Sequence, residues 1–163
     1  MVSSSTATVT LPTDEDILIV REFDAPKHLV YRVWTEPDLV RKWWHAKRGE
    51  MTVCEIDLRP GGKWRYAMNA TEGGSEVAFH GTYREVVPNE RLVTTEVYEG
   101  VPDADEDAVV NTVTFTEVGG RTTVELAVHC ASKEIRDAIV ASGMEDGLQD
   151  ALDLAEQLAV SLR

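Results

Sequence analysis

The feature of the sequence that most constrains its fold is a change of hydrophobic period partway along the chain. Between residues 52 and 130, apolar and polar residues alternate in six runs, and most of the breaks between runs carry glycine, proline or asparagine. In the run KWRYAMN, Trp64, Tyr66 and Met68 share one face of an extended chain. A Gly-Gly pair at 119–120 is typical of a two-residue hairpin turn. The pattern predicts six consecutive strands in an antiparallel meander.

Other elements flank this meander on both sides. Before it, the run DILIVREF at 16–23 is typical of a strand, and two short helices with prolines near their starts follow it. After it, Ser132 is placed to cap a helix whose apolar positions continue to Leu162, a length of roughly 45 Å. We therefore predict an α+β fold of seven strands, two short helices after strand 1 and one long C-terminal helix. We expect residues 1–13 to be a flexible lead-in and residues 14–163 to form a single domain.

Two glycines in the middle of the predicted C-terminal helix need a physical reason, because each costs roughly 1 kcal/mol relative to alanine there. Gly143 and Gly147 are four residues apart and fall on the apolar face of the helix, with Met144 and Leu148 beside them. They are either a tolerated kink, a site of close packing between helix and sheet, or the wall of a cavity between the two.

The composition excludes several classes of function. The net charge of −13 opposes general binding to nucleic acid or to an anionic membrane. No apolar run approaches the roughly 18 residues of a membrane span, and the N-terminus lacks the pattern of a secretory signal. Cys54 and Cys130 are predicted to be buried, reduced thiols, so we expect a cytoplasmic protein. The four histidines are scattered and no nucleotide-binding glycine motif is present, so we expect no metal and no cofactor.

Several short motifs, taken together, carry a family resemblance that runs from Ile17 to Leu162. They are F-D-A-P at 23–26, W-T-E-P at 34–37, R-K-W-W at 41–44, D-L-R-P-G-G at 57–62, P-N-E-R-L-V at 88–93, G-M-E-D-G at 143–147 and L-D-L-A-E-Q-L at 152–158. In this order they resemble the activator of heat-shock-protein-90 ATPase homologue family of the SRPBCC/START superfamily. The resemblance implies the helix-grip fold, in which a curved antiparallel sheet wraps around the C-terminal helix, often with a cavity between them.

On this fold, aromatic residues with polar tips suit a pocket for a largely apolar, partly polar ligand. Alternation alone does not decide which face of each strand is inward, because a shift of one residue inverts it. If the faces are as the pattern suggests, the candidate ligand-binding residues are Trp44, Trp64, Tyr66, Met68, Phe79, Tyr83, Glu96, Tyr98, Gly143, Met144, Gly147 and Leu148. Glu96 facing inward would have a raised pKa; facing outward it is one more surface charge.

Three functions remain open at this level. The first is a non-enzymatic protein that binds a small apolar, lipid-like or polyketide-like molecule. The second is an aromatase/cyclase-type enzyme in which Glu96, His80 or Tyr98 moves a proton. The third is a co-chaperone-type ATPase activator or other interaction module, which needs an exposed patch such as Trp43 and Trp44 with the basic residues around them. That basic cluster consists of Arg41, Lys42, His45, Lys47 and Arg48. A homodimer is possible, but the sequence indicates no interface.

Overall fold

The computed structural model describes residues 6–44, 49–70, 76–100 and 104–163. The strands are β1 (Thr8–Thr10), β2 (Asp16–Phe23), β3 (Gly49–Ile56), β4 (Lys63–Ala70), β5 (Glu76–Val87), β6 (Arg91–Thr95), β7 (Val97–Tyr98), β8 (Val109–Val118) and β9 (Arg121–Cys130). The helices are α1 (Lys27–Thr35), α2 (Pro37–Val40), α3 (Lys133–Ala141) and α4 (Met144–Ser161).

All the strands belong to one antiparallel sheet in the order β1-β2-β9-β8-β6-β5-β4-β3, and β7 pairs with β5 beside β6. The helix-grip α+β fold is therefore confirmed, but the described residues contain nine strands rather than seven. One additional strand, β1, lies inside the predicted flexible lead-in, where residues 8–10 pair with β2. The other arises because one of the six predicted strands of the meander is divided at Glu96 into β6 and β7.

One face of the sheet, called the inner face here, carries α1 and α4. In β2 the residues of this face alternate strictly with outward ones, so Ile17, Ile19 and Phe23 are almost fully buried. Phe115 of β8 lies on the same face and packs edge-on against Tyr31 of α1, with the ring centroids 5.6 Å apart. Burying these side chains supplies the main favourable free energy of folding, roughly 25 cal/mol for each Å² of apolar surface.

The predicted single C-terminal helix is wrong in one respect, because the chain breaks it at residues 142–143. Ser132 caps α3 as predicted, accepting a hydrogen bond from the backbone N–H of Ile135 at 3.2 Å. Gly143 then adopts a left-handed conformation with φ 81°, which separates α3 from α4. Gly143 is exposed, so its expected place on the buried face is also wrong. Gly147 is half-buried in the first turn of α4.

Specific polar contacts join α4 to the start of the sheet. Arg21 of β2 donates hydrogen bonds to Glu156 at 2.7 Å and to Asp153 at 2.6 Å. The other Glu156 oxygen accepts from the backbone N–H of Asp24 at 2.9 Å. Nearer the start of α4, the Gln149 amide bonds both backbone groups of Ala7. These contacts hold both ends of α4 across the inner face. None of the helices in the described ranges is long and apolar enough to cross a membrane.

Candidate functional site

Strand register places the side chains of Cys54, Tyr66, Phe79 and Tyr98 in one row on the inner face. Tyr66 of β4 lies directly opposite Phe79 of β5, which lies opposite Tyr98 of β7. On the other side of β4, Tyr66 is opposite Cys54 of the edge strand β3. Directly opposite residues on antiparallel strands project to the same face, so the four side chains are neighbours across the sheet.

Aromatic rings make this row continuous. The centroids of Trp64 and Tyr66 are 4.7 Å apart, and Trp44, which follows α2, covers Tyr66 at 5.2 Å and Phe79 at 5.6 Å. Phe79 then meets Tyr98 at 5.2 Å. The rings are tilted or edge-on to each other, the arrangements that aromatic quadrupoles favour. The structure thus brings Trp44, Trp64, Tyr66, Phe79 and Tyr98 together.

Gly81 makes room for the first ring of the row. A β-carbon at this position would lie 1.9 Å from the carbonyl oxygen of Thr95 and 2.6 Å from Nε1 of Trp64. The indole of Trp64 uses that space to donate a hydrogen bond to the same Thr95 carbonyl at 3.1 Å. An isolated glycine in a strand often marks such a close approach. The hydrogen bond satisfies the polar atom of Trp64, whose side chain is otherwise part of the core.

Polar groups of four elements lie next to the aromatic row. The hydroxyl groups of Tyr66 and Tyr83 are close enough for each to influence the pKa of the other. Glu96, between β6 and β7, accepts a hydrogen bond from the Asn111 side chain of β8 at 3.1 Å. The Tyr31 hydroxyl of α1 is buried and has no hydrogen-bond partner among the described residues. This is unusual, because nearly all buried side-chain polar atoms are paired in native proteins.

Burial governs the acid–base properties of these groups. Burial raises the pKa of Glu96, while the hydrogen bond from Asn111 acts in the opposite direction and lowers it. Burial also raises the pKa of Tyr31, Tyr66 and Tyr83. Burial also raises the pKa of the Cys54 thiol to about 11, so Cys54 is not a thiolate nucleophile at neutral pH. Of the two orientations that the sequence left open for Glu96, its burial and its Asn111 hydrogen bond correspond to the inward one. Cys54 and Cys130 are both buried and unpaired, as the sequence predicts.

Some inner-face residues that are deep in the protein nevertheless keep accessible surface. Tyr66 and Glu96 are enclosed enough for loss of hydration to be the main influence on each pKa, yet both remain half-buried rather than fully buried. Phe79, and Met144 and Leu148 of α4, are also half-buried and pack against the core. These side chains are therefore enclosed by neighbouring atoms without being completely covered.

Other candidate residues lie at the exposed end of the aromatic row or outside it. Tyr98 is 44% exposed and forms the outer end of the aromatic row. Met68 packs at the edge of a small separate cluster formed by Val40, Met51 and Cys54. Gly143, exposed at the helix break, has no atom within 4 Å of the position that a β-carbon would take.

Two residues that the enzyme and the interaction hypotheses require do not lie where those functions need them. His80 lies on the outer face, where its Nδ1 is 2.9 Å from Glu99, so it does not reach the inner row. Trp43 is 6% exposed and donates a hydrogen bond to the Val33 carbonyl at 2.9 Å, so it offers no partner surface. Of the basic cluster, Arg41 and Lys42 are exposed, while His45, Lys47 and Arg48 lie outside the described residues.

Sequence reasoning missed two residues of this region, Tyr31 and Asn111. Asn111 was identifiable in principle, since it is two and four positions before the buried Val113 and Phe115 and therefore shares their face of β8. Tyr31 gives a weaker signal, because the helical pattern of α1 is already satisfied by its aliphatic residues. Only the packing of α1 on the sheet shows that this hydroxyl is buried.

Two surface hollows lined by described residues lie away from the inner row. The first, of about 280 Å³, is on the outer face of β4 and β5 beside Lys63, Arg65 and His80. The second, of about 450 Å³, lies at the turn that contains Asp57 and Arg59. Both are open and bordered by charged side chains. Within the described ranges, no group of three or more His, Cys, Asp or Glu residues is placed to hold a metal ion.

Sheet order, the inner aromatic row and the C-terminal helices together define a helix-grip protein. Residues 24–159 match the model of the family described as "Activator of Hsp90 ATPase homolog 1-like protein", and the chain belongs to this family.

Solved structures from several bacteria have the same fold. A protein from Rhodobacter sphaeroides is 24% identical, with 96% of this chain and 99% of that one covered, at a TM-score of 0.86. A protein from Mycobacterium smegmatis is also 24% identical, with 96% and 99% covered, at a TM-score of 0.83. An AHSA1-like protein from Aeromonas hydrophila is 22% identical, with 89% and 93% covered, at a TM-score of 0.64. No curated protein matches the chain.

Proposed function

We propose that this protein binds a small, largely apolar molecule between the inner face of the sheet and α4. The observation that carries the proposal is the residual accessible surface of Tyr66 and Glu96, two side chains enclosed deeply enough for burial to raise the pKa of each. An apolar ligand in that space would gain the free energy of burial against Trp44, Phe79 and Leu148. The two unpaired thiols are consistent with a reducing, cytoplasmic setting.

The binding would combine apolar contact with a few polar contacts that orient the ligand. The aromatic row supplies flat apolar surface, and Tyr66 and Tyr83 add two neighbouring hydroxyl groups to it. Tyr98, at the exposed end of the row, marks the rim by which a ligand would enter. Gly143, being exposed at the helix break, is not part of this proposal.

A catalytic role for Glu96 is a second candidate, which the convergence of buried ionisable groups favours. Burial raises the pKa of the Glu96 carboxyl group, which favours its use as a proton donor, and Tyr66 lies within its electrostatic influence. His80 does not belong to this candidate, since it faces outward. For the co-chaperone hypothesis, burial of Trp43 removes half of the exposed patch that it needed.

The test combines native mass spectrometry of gently purified protein with titration of the neutral fluorescent probe N-phenylnaphthylamine. We expect either a stoichiometric extra mass or saturable probe binding by the wild-type protein. Leu148→Trp, which enlarges a half-buried side chain facing the core, should abolish binding while the melting temperature stays within about 4 °C of wild type.

Asp150→Trp is the matched control, because it adds the same side chain on the exposed side of α4. This variant should bind the probe as the wild type does. A wild-type protein that carries no extra mass and binds no probe would contradict the proposal. So would a Leu148→Trp variant that unfolds at much lower temperature, since it would mean that the space is already filled by protein atoms.

A further inference from the structure

The hollow on the outer face of β4 and β5, called the outer hollow here, lies where β5 changes its pairing partner. Residues 79–80 of β5 pair with β7, whereas Tyr83 and the residues after it pair with β6. Between the two pairings, the N–H of Thr82 donates a hydrogen bond to the side chain of Thr95 at 2.9 Å. The space at this point is about 280 Å³, roughly the volume of nine water molecules, so a molecule of about ten non-hydrogen atoms fits there.

The floor of the outer hollow is uncharged and mostly apolar. It consists of the buried members of the lining, which are Trp64, Gly81, Thr95 and Val97. Gly81 presents only its α-carbon, and a β-carbon at this position would lie 1.9 Å from the carbonyl oxygen of Thr95. The apolar part of a ligand would gain free energy by covering this floor.

Charged side chains surround the floor, and some of them already have partners. Arg65 donates two hydrogen bonds to Glu99, each at 2.9 Å, and Nδ1 of His80 is 2.9 Å from the same carboxylate. Glu55 lies directly opposite Arg65 in the β3–β4 pair, and its charge acts on the Arg65 guanidinium. These groups largely neutralise one another.

Lys63 and Glu106 are the remaining charges at the rim of the outer hollow. Both are exposed, and neither side chain forms a hydrogen bond or an ion pair with another described residue. Lys63 is fixed in β4, and Glu106 belongs to the segment before β8, which is joined to β5 by the ion pair between Arg84 and Asp107. One cation and one anion therefore border the same apolar floor without pairing with each other.

We propose that the outer hollow binds the zwitterion of an apolar α-amino acid, such as leucine. The ligand carboxylate binds Lys63, its ammonium group binds Glu106, and its side chain covers the floor at Gly81 and Val97. A simple amine would meet the charge of Lys63 and a simple carboxylate that of Glu106, so each would lose one attraction and gain one repulsion. The outer hollow is on the opposite face from the aromatic row, so this inference does not rest on the proposed function.

The experiment follows the backbone amide signals of Gly81 and Val97 by NMR while one compound at a time is added at neutral pH. The compounds are L-leucine, 3-methylbutylamine, 4-methylpentanoate and glycine; the last three lack the carboxylate, the ammonium group and the side chain of leucine, respectively. We expect saturable shifts with leucine and a dissociation constant at or below about 1 mM. Each of the other compounds should bind at least about threefold more weakly.

Two charge variants test how the ligand is oriented. Lys63→Met should weaken leucine about 3- to 5-fold but should not weaken 3-methylbutylamine, because it also removes a repulsion. Glu106→Gln should weaken leucine to a similar extent but should not weaken 4-methylpentanoate. Lys42→Met and Glu125→Gln are the matched controls, since both residues are exposed and neither borders the outer hollow. All four variants should melt within about 2 °C of wild type, because exposed residues are replaced.

Several outcomes would overturn this inference without affecting the proposed function. They are the absence of saturable leucine binding, an analogue that binds as tightly as leucine, and a control variant that weakens leucine as much as Lys63→Met does. Leucine should also leave bound N-phenylnaphthylamine in place. If leucine displaces that probe, it binds on the inner face, and the outer hollow is not its site.

Discussion

Glu96 and Glu99 lie three positions apart in the chain, in opposite environments. Glu96 faces the inner side of the sheet, where burial raises its pKa. Glu99 is on the outer side, where hydrogen bonds from Arg65 and His80 lower its pKa to about 2. The ordinary value for both is 4.5, so ionisation is unfavourable to the fold at one residue and favourable at the other.

The two glutamates should therefore affect the pH dependence of stability with opposite signs. Glu96 contributes stability that is fully present below pH 4.5 and is lost as the pH rises through its raised folded pKa. Glu96→Gln should thus match wild type at pH 4.5 or below and melt about 2–4 °C higher once Glu96 is ionised. Glu99 contributes stability that is present above pH 4.5 and is lost as the pH falls towards 2.

Glu99→Gln is the matched comparison. It should melt about 1–3 °C below wild type at neutral pH, with the difference shrinking under acid, because partly exposed ion pairs are worth little. Melting curves of the three proteins across the pH range provide the test. A Glu96→Gln variant that is destabilised at neutral pH would mean that the ionised carboxylate has a partner that stabilises it.

For individual residues, the sequence predicts well which side chains share a face of a strand. It predicts poorly which other groups surround each side chain. Alternation groups Trp64 with Tyr66, and Phe79 with Tyr83, because the strand period of two is set by backbone geometry. It does not predict that Tyr66 and Tyr83 influence each other's pKa or that the Tyr31 hydroxyl is unpaired. Those depend on how α1 and the strands approach each other in three dimensions, which no local pattern encodes.

Among the elements, the C-terminal helices show where periodicity misleads. Apolar residues recur at helical spacing on both sides of Gly143, so the pattern favours one rod of roughly 45 Å. The structure has two helices instead, because Gly143 adopts φ 81°, which other residues rarely adopt. A glycine flanked by helical patterns is compatible with either structure, and only the left-handed backbone decides between them.

Replacing Gly143 by alanine therefore gives results of opposite sign for the two structures. In a continuous helix, Gly143→Ala would stabilise the protein by roughly 1 kcal/mol. At a left-handed helix end it should destabilise the protein by about 1–2 kcal/mol, since a β-carbon is unfavourable there even with open space around it. Urea unfolding measures the difference.

Ala138→Gly provides the control for this measurement, because Ala138 is exposed inside α3, where glycine should cost roughly 1 kcal/mol. The two variants exchange the same residues in opposite directions, yet both should lose stability. A gain in Gly143→Ala would contradict the broken helix and restore the continuous one.

For the whole molecule, the main question is what holds α4 over the sheet. The buried contact between Arg21 and Glu156 joins the second strand to the last helix across 135 positions of sequence. Alternation places Arg21 inward with Ile17, Ile19 and Phe23, which signals that a buried charge needs a partner. The sequence does not identify that partner, because the last helix contains several acidic residues and the sequence does not show which of them reaches Arg21.

We expect Glu156→Gln to destabilise the protein by about 3 kcal/mol, because it leaves the Arg21 charge buried with only Asp153 to balance it. Asp153→Asn is the control: its side chain is 54% exposed, so the loss should stay below about 1 kcal/mol. The double variant Arg21→Met with Glu156→Leu removes both charges and should recover most of the stability.

Chemical denaturation of these three variants and wild type measures how much the Arg21–Glu156 ion pair contributes to stability. Probe binding measures whether that ion pair also affects the ligand site. If the ion pair also positions α4 for ligand binding, the double variant should fold well but bind N-phenylnaphthylamine less tightly than wild type. Equal losses in Glu156→Gln and Asp153→Asn would show that burial of Glu156 adds nothing, and that α4 is held by its apolar face and by Gln149 alone.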